Sequence, residues 1–324
     1  MVETFFTSFK TTSFAVFEIL ILGLCGFIIL KRNFITVNGL DIISKLVVEV
    51  TLPLFVFTQL LLRFKFSLYP NWYIFPTLSL LINFCGFIIG FILLKISGAK
   101  IPQKREFLAL STFQNSGYLV FPLVVALLPK DRADELLIYV FLFLLGFNLL
   151  IWSLGVFLLS NHKRKGFELG SLFSPAVVAI LLGLLVTALG LDRLIPDMVI
   201  RPLKLIGECT IPLAMLVVGG SLALIDFSKA AMKIGTLVNI VLAKLVLLPF
   251  LALFILYKFK LTSLVGLLIM LEAAVPSATT LSLISRHYKV EGADFINQGI
   301  FWTHLLSIFT IPLFLSLFFV ISGI

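Results

Sequence analysis

The sequence predicts an all-α polytopic membrane protein with ten transmembrane helices. These helices are expected to form two inverted five-helix repeats, with crossed broken helices at the fourth and ninth positions. Three observations predict this class: a strongly apolar composition, ten apolar runs of membrane-spanning length, and a sequence repeat at one fixed offset.

The composition favours a membrane environment. Of the 324 residues, 60% are apolar, 13% are charged and 34 are Phe, which is more apolar surface than a soluble domain of this size buries. The formal net charge of +9 comes from residues in short connections between apolar runs, not from an extended basic patch. A lipid bilayer is therefore the expected environment, and nucleic acid is not an expected partner.

Ten apolar runs of about 18 to 25 residues match the length that a helix needs to cross roughly 30 Å of hydrocarbon. Alternation with period two, which is typical of membrane barrels, is absent. Helices are therefore predicted. The predicted spans are 13–30, 40–62, 71–94, 106–128, 136–159, 174–191, 199–222, 231–257, 263–285 and 294–322.

Basic residues predict the orientation. Connections that follow odd-numbered runs are richer in Lys and Arg than those that follow even-numbered runs, as Lys163, Arg164 and Lys165 show beside the lone Arg193. By the positive-inside rule the odd connections are cytoplasmic. The prediction is a multi-pass protein of the cell (inner) membrane with both termini extracytoplasmic.

The strongest internal signal is a repeat. The segment KLVVEVTLPL at Lys45–Leu54 recurs as KLIGECTIPL at Lys204–Leu213, at an offset of 159 residues. The same offset superposes the other runs, which predicts a first five-helix repeat at 1–161, a central cytoplasmic loop at 162–173 and a second repeat at 174–324. Because five crossings is an odd number, the second repeat is expected to be inverted relative to the first.

Two corresponding spans carry helix-breaking residues. The fourth holds QNSGYLVFP at Gln114–Pro122, and the ninth holds EAAVPSATT at Glu272–Thr280. Gly117, Pro122 and Pro276 are predicted to shape the crossover, because Gly and Pro weaken the helical hydrogen-bond ladder. Half-helix N-termini exposed at such a break carry partial positive charge, which suits an anionic ligand.

Polar residues at these breaks are the predicted substrate-binding residues. Asn115 offers both a donor and an acceptor, so it is predicted to contact the ligand or to cap the crossover. Ser and Thr side chains in membrane helices also commonly bond to their own backbone, so both roles stay open for them. The full predicted set is Gln114, Asn115, Ser116, Ser277, Thr279 and Thr280.

Two buried titratable residues are candidates for ion coupling. Glu272 lies inside a span, where a charged carboxylate costs about 2.5–3.5 kcal/mol on insertion scales, so it needs a partner, a proton or water. His304 in the tenth span is the second candidate, with hydrogen-bonded packing as its alternative role. Thr51 and Pro53 in the second span and Thr210 and Pro212 in the seventh are predicted to kink these helices beside the crossover.

At four segments the chain resembles the auxin efflux carrier family, which includes plant auxin exporters and bacterial malate or malonate carriers. The segments are Asn115…Pro122-Leu123, Ala274-Val275-Pro276-Ser277, Ser285-Arg286-His287-Tyr288 and Ile311-Pro312-Leu313. The central loop of about a dozen residues resembles the short prokaryotic type. Ser277, Thr279 and Thr280 replace the second Asn or Gln that plant members often have.

The resemblance implies a scaffold of spans 1, 2, 6 and 7 and a transport core of spans 3–5 and 8–10. In this arrangement the predicted contacts of the scaffold with the moving core are Thr51, Pro53, Thr210 and Pro212. It also implies elevator-type movement, a homodimer, and a small organic anion as substrate, either auxin-like or a dicarboxylate.

Competing function classes remain. With three His residues, no metal-ligand spacing and no phosphate-binding loop, an enzyme, a cofactor and a metal site are not expected. A cation/proton antiporter or a sodium-coupled symporter of the same inverted-repeat plan is the nearest alternative. Such antiporters usually place paired Asp at the crossover, and neither crossover segment contains one. A membrane enzyme and an ion channel are the more distant alternatives.

Overall fold

The computed structural model describes residues 2–97, 101, 103–160, 173–225, 232–261 and 263–323. Within these ranges the chain is helical and contains no β-strand, as expected where backbone groups must be satisfied inside hydrocarbon. The predicted central loop 162–173 lies outside the described residues except for Phe173.

Sixteen α-helices are present in the described ranges. Before the central loop they are α1 (Val2–Lys31), α2 (Val37–Leu46), α3 (Leu52–Arg63), α4 (Ile74–Ser97), α5 (Lys104–Thr112), α6 (Val120–Leu127), α7 (Lys130–Leu150) and α8 (Val156–Leu159). After it they are α9 (Pro175–Ala188), α10 (Asp197–Glu208), α11 (Thr210–Ala223), α12 (Ile234–Val241), α13 (Leu248–Phe259), α14 (Leu264–Ala274), α15 (Thr280–His287) and α16 (Ala293–Ser322).

Six helical stretches in the described chain are long and apolar enough to cross a membrane, and two shorter helices, α9 and α14, are also apolar. Large apolar side chains such as Phe14, Phe84 and Phe250 point outwards, which suits contact with lipid. The chain is therefore a multi-pass membrane protein. The six long stretches are Val2–Lys31, Ile74–Ser97, Lys130–Leu159, Asp197–Ala223, Ile234–Phe259 and Ala293–Ser322.

Short π-helical segments interrupt three of the spans. Val47–Thr51 joins α2 to α3 and is followed by Pro53, while Leu242–Leu247 joins α12 to α13 and is followed by Pro249. Proline lacks an N–H and clashes with the carbonyl four residues earlier, so a wider turn before it relieves the conflict. The third segment, Ile151–Gly155, joins α7 to α8.

The helices pack as two bundles. The first bundle comprises α1–α3 and α9–α11, with α1 packed along α11 and α3 along α9. The second bundle comprises α4–α8 and α12–α16, with α4 packed on α7 and α14 on α16. The bundles meet mainly where α1 lies along α16, and where α3 and α9 contact α7.

Polar contacts cross the interface between the bundles. On α1 the Thr12 hydroxyl lies 3.2 Å from the Ser316 hydroxyl of α16, and both side chains are fully buried. Arg63 at the end of α3 forms an ion pair of 2.5 Å with Asp134 of α7. A longer pair of 3.6 Å joins Asp41 of α2 to Arg286 of α15. Any sliding of one bundle along the other must break these contacts.

The backbones of α1 and α11 touch. A Cβ atom added at Gly219 would lie 1.7 Å from the carbonyl oxygen of Gly23, and one added at Gly26 would lie 2.2 Å from that of Leu216. Small residues at such crossings allow the close approach that drives helix association in membranes. A side chain at Gly219 therefore has to push the two helices apart.

Gly219→Ala is expected to destabilise the protein by about 1–3 kcal/mol, the usual cost of overpacking. The matched control is Gly23→Ala, because a Cβ atom at Gly23 meets no atom within 4 Å. Thermal unfolding followed by fluorescence-detected size exclusion in detergent measures both variants. Equal melting temperatures for the two variants would show that the contact at Gly219 does not limit helix packing.

Candidate functional site

The two helix breaks meet each other inside the second bundle. α5 ends at Thr112 and α6 begins at Val120, while α14 ends at Ala274 and α15 begins at Thr280. In the α14–α15 break Val275 is extended, with φ −73° and ψ 151°, as the residue before a proline usually is. The result is two short non-helical segments, 113–119 and 275–279, within the apolar interior.

The two segments pair through their backbones. The backbone N–H of Asn115 donates to the Pro276 carbonyl at 2.8 Å, and the backbone N–H of Ala278 donates to the Phe113 carbonyl at 3.0 Å. Gln114 and Ser277 face each other as one antiparallel bridge. These bonds satisfy polar groups that the broken helices leave unpaired, which hydrocarbon otherwise penalises. They also fix the register in which the two segments cross.

Asn115 contacts a residue of a distant helix. Its Nδ2 lies 3.1 Å from Nε2 of His304 on α16, and Nδ1 of His304 lies 2.8 Å from the Ile300 carbonyl. A carbonyl can only accept, so Nδ1 must be the protonated nitrogen of the ring. In the neutral imidazole, Nε2 then accepts a hydrogen bond from the side-chain NH₂ group of Asn115. Both side chains are buried, at 3% and 8% exposure.

A second polar cluster contains four fully or almost fully buried side chains: Gln114, Ser116, Lys244 and Glu272. The side-chain polar atoms of Gln114, the Ser116 hydroxyl, the Lys244 ammonium and both Glu272 oxygens form no hydrogen bond of good geometry. The side chains of Gln114 and Ser116 nevertheless approach the Glu272 carboxylate as hydrogen-bond donors. Lys244 and Glu272 interact electrostatically, although no pair of their atoms lies within ion-pair distance. Lys244 belongs to the π segment 242–247, which packs on both α5 and α14.

Three cavities lie between the bundles, and two of them adjoin the Asn115–His304 contact. The crossover cavity, of about 100 Å³, has apolar side chains and these polar or part-polar lining residues: Gln114, Asn115, Ser116, Tyr118, Asn148, Trp152, Ser174 and Thr280. The apolar cavity, of about 180 Å³, lies between α1, α6, α11 and α16, and His304 and Ser307 are its polar lining residues. The described residues that line the two cavities include no Lys, Arg, Asp or Glu. The Asn115–His304 hydrogen bond joins a residue of one lining to a residue of the other.

Some of the predicted binding residues line the crossover cavity, and the others lie outside it. Gln114, Asn115, Ser116 and Thr280 line this cavity, and the Thr279 side chain lines a smaller one beside Arg286. Ser277 instead donates its hydroxyl to the Leu110 carbonyl at 2.8 Å. Its side chain therefore holds the two broken helices together.

The residues predicted to shape the crossover have different positions. Within the break, the Pro276 carbonyl accepts a hydrogen bond from the backbone N–H of Asn115. Pro122, in contrast, lies in the first turn of α6. Gly117 lies in the 113–119 segment, where an added Cβ atom would meet only the Phe121 ring, at 3.7 Å. The conformation at Gly117 thus leaves room for a side chain.

The four residues predicted to connect scaffold and core lie beside interruptions in the first bundle. Thr51 ends the π segment 47–51 and Thr210 begins α11, and both are buried with hydroxyls that lack a partner. Pro53 is half-buried at the start of α3, while Pro212 is exposed near the start of α11. α10 and α11 are separated at Cys209.

Lys244 is the functional candidate that the sequence analysis missed. Lys244 lies within an apolar run, so the comparison of basic residues in the connections, which predicted the orientation, did not involve it. A lysine inside a predicted span is itself a signal, since intramembrane charges usually pair with one another or face a cavity. The partner could not be identified from the sequence alone.

These features define the class of the protein: a multi-pass helical membrane transporter, in which discontinuous helices meet within the span. The chain belongs to the membrane transport protein family, whose model matches residues 11–315. This match confirms the resemblance to the auxin efflux carrier family. A comparison with curated proteins found no match.

Proposed function

We propose that this transporter carries a small organic anion across the cell membrane by elevator-type alternating access. The observation that supports this most directly is the crossover cavity, whose uncharged lining includes Asn115 and Thr280, the first residue of α15. The N-terminal ends of α6 and α15 follow the two breaks, and helix N-termini favour negative charge. Auxin-like monocarboxylates and dicarboxylates are the substrate classes proposed.

Within this proposal Asn115, Ser116 and Thr280 contact the anion. An amide and two hydroxyls can each donate to a carboxylate, and such charge-assisted bonds are the stronger kind. Gln114 and Thr279 border the same crossing, while Ser277 and Pro276 hold its shape. Asn148 on α7 also lines the cavity.

The packing supports the proposed inverted repeat. The offset of 159 residues carries residues 16–29 of α1 onto α9 and all of α3 onto α11. It therefore converts the α1–α11 contact into the α9–α3 contact, and both pairs pack closely. It also relates Asn148 and Trp152 of the crossover cavity to Ser307 and Ile311 of the apolar cavity. Two cavities related in this way, one for each half, suit a site that opens alternately to the two sides.

In the proposed mechanism the first bundle is the scaffold and the second bundle is the moving transport core. Thr51, Pro53, Thr210 and Pro212 lie in the scaffold at the interruptions beside this core. A homodimer, which the family resemblance implied, belongs to the proposal, as do extracytoplasmic termini. Two of the buried titratable residues near the crossover, Glu272 and His304, are the proposed candidates for coupling transport to protons.

Uptake by proteoliposomes tests the substrate class. A panel of radiolabelled monocarboxylates and dicarboxylates, including indole-3-acetate and malonate, is measured with and without a pH gradient and a membrane potential. Saturable uptake of at least one carboxylate is expected. If no carboxylate moved under any of these gradients, the organic-anion proposal would be wrong.

Asn115→Ala is expected to lower uptake of the identified carboxylate about 10- to 100-fold, because hydrogen bonds to charged groups contribute about 1.5–3 kcal/mol. Asn83→Ala is the matched control: Asn83 is equally buried, but its amide donates to the Ser79 carbonyl within α4. Binding to purified protein and uptake are measured together. An Asn115→Ala variant that binds the anion like the wild type would remove Asn115 from the site.

A cation/proton antiporter remains the second proposal, favoured by the buried oxygen atoms of Gln114, Ser116 and Glu272 and by the electrostatic interaction of Glu272 with Lys244. The same proteoliposomes, loaded with a pH-sensitive dye, test it directly. Alkalinisation or acidification driven by Na⁺ or K⁺, with no carboxylate movement, would favour this second proposal over the first.

A further inference from the structure

The Asn115–His304 hydrogen bond has a direction that the backbone imposes. Because the Ile300 carbonyl occupies Nδ1–H at 2.8 Å, Nε2 of the neutral imidazole is an acceptor. It takes up one of the two N–H groups of Asn115 at 3.1 Å. In this arrangement the amide that lines the crossover cavity uses half of its donor capacity on another protein group.

Protonation of the imidazole reverses this bond. A protonated Nε2 can only donate, so it needs an oxygen, and the Asn115 amide supplies one when it rotates by half a turn about its Cβ–Cγ bond. Both N–H groups of Asn115 then become available to a carboxylate. The uncharged side-chain pair becomes a pair that carries one positive charge.

A positive charge at this position has no oppositely charged group within hydrogen-bond or ion-pair distance in the described structure. Helices and segments that pack on α16 place Glu272 and Lys244 in the interior, and neither forms a hydrogen bond or an ion pair with His304. Their other charged or titratable groups are partly or fully exposed: Glu3, Lys10, Glu18, Cys25 and Lys31 of α1, Lys104, Arg105 and Glu106 of α5, Tyr257 and Lys258 of α13, Arg286 and His287 of α15, and Asp294 of α16 itself.

An anion in the crossover cavity likewise has no opposite charge beside it, because no described residue of either cavity lining is Lys or Arg. A buried imidazolium and a buried carboxylate are each unfavourable alone and offset one another when both are present. By thermodynamic linkage, each then increases the affinity for the other by the same factor.

We propose that the Asn115–His304 pair links binding of each organic anion to uptake of one proton. The proton comes from water and binds to Nε2 of His304, the Asn115 amide turns, and both of its N–H groups donate to the carboxylate. His304 is thus a positioning residue, and the site changes from uncharged and empty to neutral and occupied. This inference rests on the proposed anion transport and identifies which of the two buried titratable residues receives the anion-linked proton.

The first test is ¹⁵N NMR of protein labelled at histidine, in which His162→Gln and His287→Gln leave His304 as the only histidine. Ligand-free protein at high pH is expected to show a protonated Nδ1 and an unprotonated Nε2. The opposite tautomer would overturn the proposal. This measurement needs no substrate and keeps the residue under test.

The second test adds indole-3-acetate or malonate to the same sample at a pH where the free imidazole is neutral. The imidazole is expected to become doubly protonated when the anion binds. The apparent affinity for the anion is expected to fall up to tenfold for each unit by which the pH is raised. His304→Gln retains a neutral donor and acceptor, so its affinity is expected not to vary with pH.

The possible failures are distinguishable. Carboxylate binding that is independent of pH in the wild type, or an imidazole that stays neutral on binding, overturns the proton linkage but leaves anion transport in place. Failure to bind any carboxylate at any pH overturns both proposals. If His304→Gln does not fold, the NMR measurements on the histidine-bearing protein decide the question by themselves.

Discussion

Cross-linking α1 to α16 is expected to stop transport. Thr12 and Ser316 belong to different bundles, and their hydroxyl oxygens are 3.2 Å apart, so cysteines at these positions place two sulfur atoms close to bonding distance. If the second bundle slides along the first, the disulfide holds it in the observed position. Uptake is expected to fall to the fraction of protein that remains uncross-linked, and to recover fully on reduction.

The experiment uses a background in which Cys25, Cys85 and Cys209, the three native cysteines, are replaced by alanine. A membrane-permeant oxidant forms the bond, and gel mobility after proteolysis in a loop measures its extent. The matched control is Ser97→Cys with Asn239→Cys, whose native side chains are hydrogen-bonded at 2.8 Å within the second bundle. That disulfide is expected to leave uptake unchanged.

A Thr12–Ser316 cross-link that leaves uptake intact would contradict elevator movement at this interface. Loss of uptake in both cross-linked proteins would point to general rigidity instead of movement between bundles. The same background variant without an oxidant reports whether the substitutions themselves disturb the protein.

The helix breaks were predictable because their causes are local. Pro276 lacks an N–H wherever it stands in a helix, and a polar segment such as Gln114–Gly117 is conspicuous in an apolar run. The start of α1 was less predictable: the helix begins at Val2, eleven residues before the predicted span. Hydroxyls there, such as that of Thr11, donate to carbonyls one turn earlier, so helical structure continues beyond the apolar run.

Contacts between distant residues were beyond the sequence. Asn115 and His304 are separated by 189 positions, and only the packing of α16 against the crossover brings them together. The role of Ser277 depends on the crossing register, which directs its hydroxyl to Leu110 and away from the cavity. Local composition contains no information about either arrangement, whereas a repeat at one fixed offset does predict which helices correspond.

Neutralising one member of the Lys244–Glu272 pair is expected to have the largest effect on stability. Both residues are fully buried, so Lys244→Met leaves a carboxylate with no opposite charge near it, and Glu272→Gln leaves an isolated ammonium. Removing one partner of a buried pair in contact typically costs about 3–5 kcal/mol. Because no atoms of Lys244 and Glu272 lie within ion-pair distance, this range is the upper limit of the expected loss of unfolding free energy. Each single variant is expected to unfold at a markedly lower temperature and to lose uptake.

The double variant Lys244→Met with Glu272→Gln removes both charges and keeps both side-chain volumes. Replacing a buried pair by uncharged residues is often neutral or stabilising, so this variant is expected to be more stable than either single one. A double-mutant cycle on the unfolding free energies measures the coupling. Additive effects would show that the two charges do not stabilise each other.

Uptake by the stable double variant then separates structure from coupling. The variant retains Asn115 and His304, so its uptake is expected to depend on the pH gradient as the wild type does. A stable double variant that transports the anion without any response to the pH gradient would assign coupling to Glu272, and His304 would then serve to orient Asn115 alone.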